Sequence, residues 1–262
     1  MTSGFPCHSE VPRRGKPALR EVQGRILLHL RANDHALLVA AHRVCGRTGY
    51  DTRMERLGRR RAVELALVIG CGVGNFLFES VLHAKTVFVI VAAGTWLGYV
   101  LWRWHTDRGA LHAWGLRRDN LVAAAKAALA LTVPLTACAV AYAFAAKNFP
   151  PPRGFWLILL LYPAWGVAQQ FLLNAMLARN LAAFLPGWAV VFLSAVLFAA
   201  SHAPDLPVVA LTLPAGALWV LMYRRWPNLW ALGIAHGVMG TVVFYGVLGR
   251  DPLALLLGKI PG

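Results

Sequence analysis

Three polar constellations interrupt apolar sequence in the second half of the chain. They are Gln169-Gln170 with Asn174, Phe198 with His202 four residues on, and His236 with Gly240 four residues on. Amides and imidazoles at membrane depth are costly, so they face a bundle interior or a water cavity and usually serve a function. Gln170 and Asn174 stand at i and i+4 and share a helical face, with Gln169 about 100° round from its neighbour. That polar face has two readings: interhelical hydrogen bonds, which contribute about 0.6 to 2 kcal/mol in bundles, or a site of chemistry. His202 ends the apolar run from Ala189 to Ala200 and precedes Pro204 and Asp205. Alone, it reads as a satisfied interfacial histidine or as a catalyst. His236 lies deep inside the last apolar run among Ala, Gly, Val and Met, and burial without a polar partner would be unfavourable, so it should meet one. Gly233, Ala235, Gly237 and Gly240 leave room for another helix to come close.

The elements that position these groups follow from composition. With 58% hydrophobic and 14% charged residues and a mean hydropathy of +0.55, the chain holds more apolar surface than a soluble domain of this length can bury. The surplus must face lipid, and the expected fold is an all-α polytopic bundle. Runs near the ~20 residues needed to cross a ~30 Å core predict about seven spans: Ala62 to Leu82, Thr86 to Trp102, Leu121 to Ala146, Phe155 to Ala178, Gly187 to Ser201, Leu206 to Tyr223 and Leu229 to Leu248. The fifth and sixth are short. Trp102, Trp104, Trp156, Trp188, Tyr223, Trp226 and Trp230 sit near span ends, as an interfacial aromatic belt requires.

Residues 1–61 hold 13 Lys/Arg against 5 Asp/Glu and end in Arg59-Arg60-Arg61, which predicts a cytoplasmic N-terminus. Seven spans then place Arg103, Arg108, Arg117, Arg118, Arg179, Arg224 and Arg225 inside, and Lys85, Lys147, Arg153, Arg250 and Lys259 outside. The division is accordingly a basic cytoplasmic segment, 1–61, and a membrane domain, 62–262. Within the segment, the stretch to about Pro17 is Pro, Gly and Arg rich, a composition of disorder, and Asn33-Asp34 can cap a helix from His35 to Cys45. No signal peptide is expected, since no apolar stretch follows a short basic one in the first thirty residues. The net charge of +15 points to anionic lipid headgroups and not to nucleic acid, because the basic residues flank helices instead of forming a face interleaved with stacking aromatics.

Cysteines 7, 45, 71 and 138 lack close pairing and imply no disulfide framework. His35, His42 and Cys45 lie along one predicted helix face and could bind a metal; the plainer reading is an amphipathic helix with incidental histidines.

The order glutamine pair, Phe-x-x-x-His, His-x-x-x-small resembles the CPBP family of intramembrane proteases, the CAAX prenyl endopeptidase and bacteriocin-immunity group also called type II Abi proteins. Gly115-Leu-Arg117 before an early span and Asn228-Leu-Trp230 before the last one strengthen the likeness, which covers about residues 114–247. The family's Glu-Glu-x-x-x-Arg maps onto Gln169, Gln170 and Asn174, its Phe-x-x-x-His onto Phe198 and His202, and its His-x-x-x-Asn or Asp onto His236 and Gly240. Order, spacing and both histidines are kept; the acids, the arginine and the terminal amide are not. The resemblance implies a four-helix core in which a glutamate activates water, helped by two histidines, to cleave a hydrophobic or prenylated peptide in or near the membrane. It also implies an integral plasma-membrane protein of bacterial type. Gln169, Gln170, His202 and His236 then occupy the catalytic positions, with Asn174, Phe198 and Gly240 beside them. No metal ligand set or cofactor is assigned.

Glutamine keeps the shape of glutamate without its basicity, and a general base contributes about 10² to 10⁴ in rate, so proteolysis should be weak or absent. His202 or His236 could act as base, the two histidines could hold a metal with Asp205 the only acid nearby in sequence, and Glu79 could supply a carboxylate, although Lys85 is its simpler partner. A pseudoprotease or immunity factor that binds a peptide or protein partner is the alternative of another class, and a small transporter a third. In every reading the fourth, fifth and seventh spans should pack together and bring Gln169 or Gln170, His202 and His236 around one polar cavity, where they satisfy each other.

Overall fold

The computed structural model describes residues 47–253, with side chains from Glu55 on. By backbone contacts the chain divides between Gly58 and Arg59; the architecture below is that of the unit beginning at Arg59. The predicted His35 to Cys45 helix, and with it the His35, His42 and Cys45 cluster, lies outside the described residues.

Among the described residues every regular element is helical. In chain order they are α1 (Arg47–Ser80), α2 (Lys85–Thr106), the single turn α3 (Ala110–Ala113), α4 (Leu121–Ala145), α5 (Gly154–Leu181), α6 (Gly187–Ala200), α7 (Leu206–Arg225) and α8 (Leu229–Val247). Six are long and apolar enough to cross a membrane, α1 over Glu55–Ser80. The remaining expected span, the fifth, is α6, which is apolar but has 14 residues, about 21 Å at 1.5 Å per residue, short of the ~30 Å hydrocarbon thickness. The protein is an integral membrane protein built as a helical bundle. Predicted bounds hold to within about four residues except at the start of α1, which runs from Arg47 and not from Ala62. Arginine and glutamate are good helix formers, so the basic stretch before the span continues the helix.

The tightest helix pair is α5 with α8. A Cβ on Gly166 would strike the Gly233 carbonyl, one on Gly233 would strike Val167, and one on Gly237 would come within 2.5 Å of Pro163 Cα. The small-residue face of α8 therefore brings two backbones into contact, the arrangement such faces permit in membranes. Helix α6 lies along α7, where Gly216 would place a Cβ 3.0 Å from the Phe198 ring, and it reaches α5 lower down. That lower stretch of α5 is a π-helix, Phe171–Ala178, with every residue except Leu172 buried. Single π turns inside α-helices concentrate at functional sites.

One end of the bundle is closed by two connections tied to each other. Leu229 N–H donates to Gly115 O at 2.8 Å, and Asn228 Nδ2 donates to Arg117 O at 2.8 Å and Asn120 Oδ1 at 2.9 Å. Tyr223 O–H donates to Trp114 O at 2.8 Å, while Asn228 Oδ1 caps α8 by accepting from Ala231 N at 3.0 Å. Gly115 has φ +89, and a Cβ there would meet the Pro227 backbone at 3.1 Å. Position 115 is thus restricted to glycine by both conformation and space. On the same connection the Arg117 guanidinium hydrogen-bonds Asp119 and holds its carboxyl down at about 2. Trp114 lies beneath, packed edge-on against Phe171 at 5.4 Å and beside Tyr99 at 6.0 Å.

Candidate functional site

Gln170 closes the last α turn before the π-helix of α5 and is fully buried, as is Asn174. Asn174 Nδ2 donates to Gln170 Oε1 at 2.6 Å, and Gln170 Nε2 lies 2.7 Å from His236 Nδ1 on α8. With its oxygen occupied by Asn174, the Gln170 amide donates to Nδ1, which leaves Nε2 of the neutral imidazole to carry the ring proton. The partner that the apolar setting of His236 demanded is therefore Gln170. The other side of that imidazole is fixed by Trp219 of α7, stacked at 5.6 Å and 7°.

His202 stands in the turn after α6, where Nδ1 donates to Phe198 O at 2.8 Å. Its ring packs edge-on against Phe198 at 4.9 Å, and the same phenyl meets His236 at 6.1 Å. Phe198 is the wall between the two histidines, which answers the four-residue spacing of its motif. Both imidazoles reach one level because His202 sits at the far end of its short helix while α8 carries His236 up beside Phe198.

An open cavity of about 1860 Å³ adjoins this cluster. Gln169, Phe198, His202, His236 and Gly240 line it; Gln170 and Asn174 stand behind its wall. The two glutamines are thus separated in kind. Gln170 holds His236, whereas Gln169 turns to the cavity with its Oε1 buried and without a hydrogen-bond partner. Gly240 leaves room for the Tyr162 ring, which a Cβ there would approach to 2.9 Å. The expected meeting of the fourth, fifth and seventh spans differs in one respect: α6 does not lie along α8 but touches it through Phe198 and His236, since α6 pairs with α7 along its length.

Glu79 lines the same cavity but makes no hydrogen bond to the histidines. It pairs with Lys85 at 2.7 Å at the cavity rim, and Asp205 caps α7 and pairs with Arg250. Among the described residues no three His, Cys, Asp or Glu side chains converge, so the donor set near His202 and His236 is two imidazoles and amides, a poor match to a hydrolytic metal centre.

Several residues that shape the region had no sequence signal. Trp219 sits in an unbroken apolar run, and nothing in its spacing announces a stack with His236. Asn75 of α1 donates to Ser201 O at 3.0 Å and ties the first span to the His202 turn. Glu64 did have one: it is a lone acid in an apolar run, four residues after Arg60. It is 2% exposed and accepts from Tyr99 O–H at 2.5 Å and Asn180 Nδ2 at 2.7 Å, which joins α1 and α2 to the lower end of α5.

Residues 151–242 match the family model of type II CAAX prenyl endopeptidases, Rce1-like, a stretch holding both histidines and the whole amide network and consistent with the CPBP proteases that its motifs resemble. No curated protein matches the chain, and no solved structure does.

Proposed function

We propose that the protein binds a hydrophobic or prenylated peptide in the cavity beside Gln169, His202 and His236, and that its proteolysis is weakened or lost. The observation that carries this reading is Gln169. It is the member of the glutamine pair that lines the cavity, where the family motif has a carboxylate, and its amide oxygen has no hydrogen-bond partner within the protein. An amide can hold a peptide N–H but cannot take a proton from water. His202 and His236 remain in place to orient a carbonyl or a water. The alternative, a pseudoprotease or immunity factor that holds a partner without cleaving it, shares this geometry and differs only in turnover.

The test is cleavage of a prenylated and a plain hydrophobic peptide by purified protein in detergent. We expect little or no turnover from the natural chain and a gain of about 10² or more in Gln169→Glu, the lower part of the range a general base contributes. Robust natural turnover that survives Gln169→Leu and vanishes in His202→Ala would refute the reading and assign the base to histidine. Tight peptide binding with no cleavage by any variant would favour the partner-binding alternative.

A further inference from the structure

The charged side chains of the cavity wall gather at one end. Glu79 comes from the end of α1, His83 from the α1–α2 connection, Lys85 from the start of α2, Asp205 from the α6–α7 connection, and Arg250 and Asp251 from just beyond α8. They are mutually engaged: Lys85 with Glu79, Arg250 with Asp205, and Asp251 as acceptor from Tyr245 O–H at 2.6 Å. The rim is therefore polar and nearly balanced in charge. Below it the wall is apolar, with Val68, Phe76, Leu211 and Val243, down to Gln169 and the histidines. The opposite end is the one shut by the tie between the 114–120 and 226–229 connections, with Trp114, Asn228 and Leu229 buried.

The two ends also differ in basic residues. Arg59 to Arg61 lie on α1 toward the closed end, and Arg103, Arg108, Arg117, Arg118, Arg179, Arg224 and Arg225 all fall there by helix direction. The rim end of the bundle holds Lys85, Lys147, Arg153 and Arg250. Lysine and arginine near span ends are retained on the cytoplasmic side, which puts the closed end in the cytoplasm.

We propose that the cavity is loaded from the non-cytoplasmic face, and that its occupant is an extended apolar stretch of an exported or membrane-anchored polypeptide and not the end of a cytosolic chain. This rests on the reading of the cavity as a peptide site. A polypeptide is preferred to a lipid chain because Gln169 stands on the cavity wall, and its amide can pair with a backbone amide but finds no partner on an acyl chain. The apolar walls then receive the side chains.

Two reporters separate the side of entry from the occupant. In a chain with all four cysteines replaced by alanine, Leu82→Cys marks the rim end and Arg108→Cys the closed end. A membrane-impermeant maleimide should label Leu82→Cys in right-side-out vesicles only and Arg108→Cys in inside-out vesicles only; the reverse pattern overturns the orientation. Native Cys71 lines the cavity, so a chain keeping it alone reports occupancy. A capped apolar decapeptide added to right-side-out vesicles should slow Cys71 labelling at least fivefold, a free fatty acid should not, and Gln169→Leu should erase that difference. Protection only from the cytoplasmic face overturns the side of entry and leaves peptide binding intact. Equal protection by the fatty acid, with or without Gln169, assigns the cavity to lipid and overturns the occupant. No protection by the decapeptide or by a prenylated peptide from either face overturns the peptide site itself.

Discussion

Replacing Gln170 with leucine tests the buried network most directly. The side chain is fully buried and makes two hydrogen bonds, to Asn174 at 2.6 Å and His236 at 2.7 Å. Leucine fills a similar volume, so little cavity forms, and the effect is dominated by polar loss. Two side-chain bonds, one within α5 and one to α8, at the membrane average of about 0.6 kcal/mol set a floor near 1 kcal/mol. Two stranded groups, the Asn174 amide and His236 Nδ1, at about 1 to 3 kcal/mol each set a ceiling near 6 kcal/mol. We expect a loss of about 2 to 4 kcal/mol, read by reversible unfolding in mixed micelles. The pairing can be isolated by a cycle with Asn174→Leu, because the double variant no longer strands the asparagine. Its total should fall below the sum of the singles by about 1 kcal/mol or more. A Gln170→Leu protein within 0.5 kcal/mol of the natural chain, with additive doubles, would show that the network contributes nothing and that His236 is held by Trp219 alone.

Other outcomes follow from close approach and from the tied end. Gly237→Leu should separate α5 from α8, because even a Cβ lies 2.5 Å from Pro163 Cα, and expression of folded protein, scored by size-exclusion profile, should collapse. Gly115→Ala combines an unfavourable left-handed φ with a backbone contact at 3.1 Å and should destabilise by about 1 to 3 kcal/mol in the same unfolding assay. Asn228→Ala removes a helix cap and two long-range bonds, for about 2 kcal/mol. The Asp119 carboxyl is lowered to about 2, so its contribution is complete above about pH 4 and lost as pH falls through 2. Asp119→Asn should therefore leave the pH dependence of unfolding between 5 and 8 unchanged.

Much of this architecture was legible because hydrocarbon simplifies the code. Apolar runs gave the helices, and the polar interruptions named Gln169, Gln170, His202 and His236 before any geometry existed. The glycines of α8 announced a close partner but not which helix. That choice needed Gly166 and Pro163, which look ordinary within α5. The difference in role between Gln169 and Gln170 was illegible for a similar reason. Neighbouring residues differ by about 100° on a helix, yet which of the two faces α8 depends on how the helix is rotated in the bundle, and on the π turn that follows it. Glu64 was readable in principle, as a carboxylate four residues from Arg60 inside an apolar run, but its partners Tyr99 and Asn180 are set by tertiary structure alone.

The amides at positions 170 and 174 make physical sense as a pair. The family motif puts a carboxylate and a guanidinium there, whereas here an amide donates to an amide that in turn donates to an imidazole. A buried carboxylate and guanidinium depend on each other, and breaking one side of such a pair is strongly destabilising. With Asn174 in place, the network is neutral throughout and leaves one asparagine oxygen unpartnered. The two glutamines should therefore respond differently to restoration. At Gln169, a carboxylate would stand on the wall of the open cavity and not in the closed network, and Gln169→Glu should fold normally. At Gln170, a carboxylate would be fully buried with no guanidinium to meet it, so Gln170→Glu should lose stability at neutral pH and recover part of it on acidification, as the raised acid takes up a proton. Equal stability of the two variants across pH 5 to 8 would contradict this division of labour and return both positions to one role.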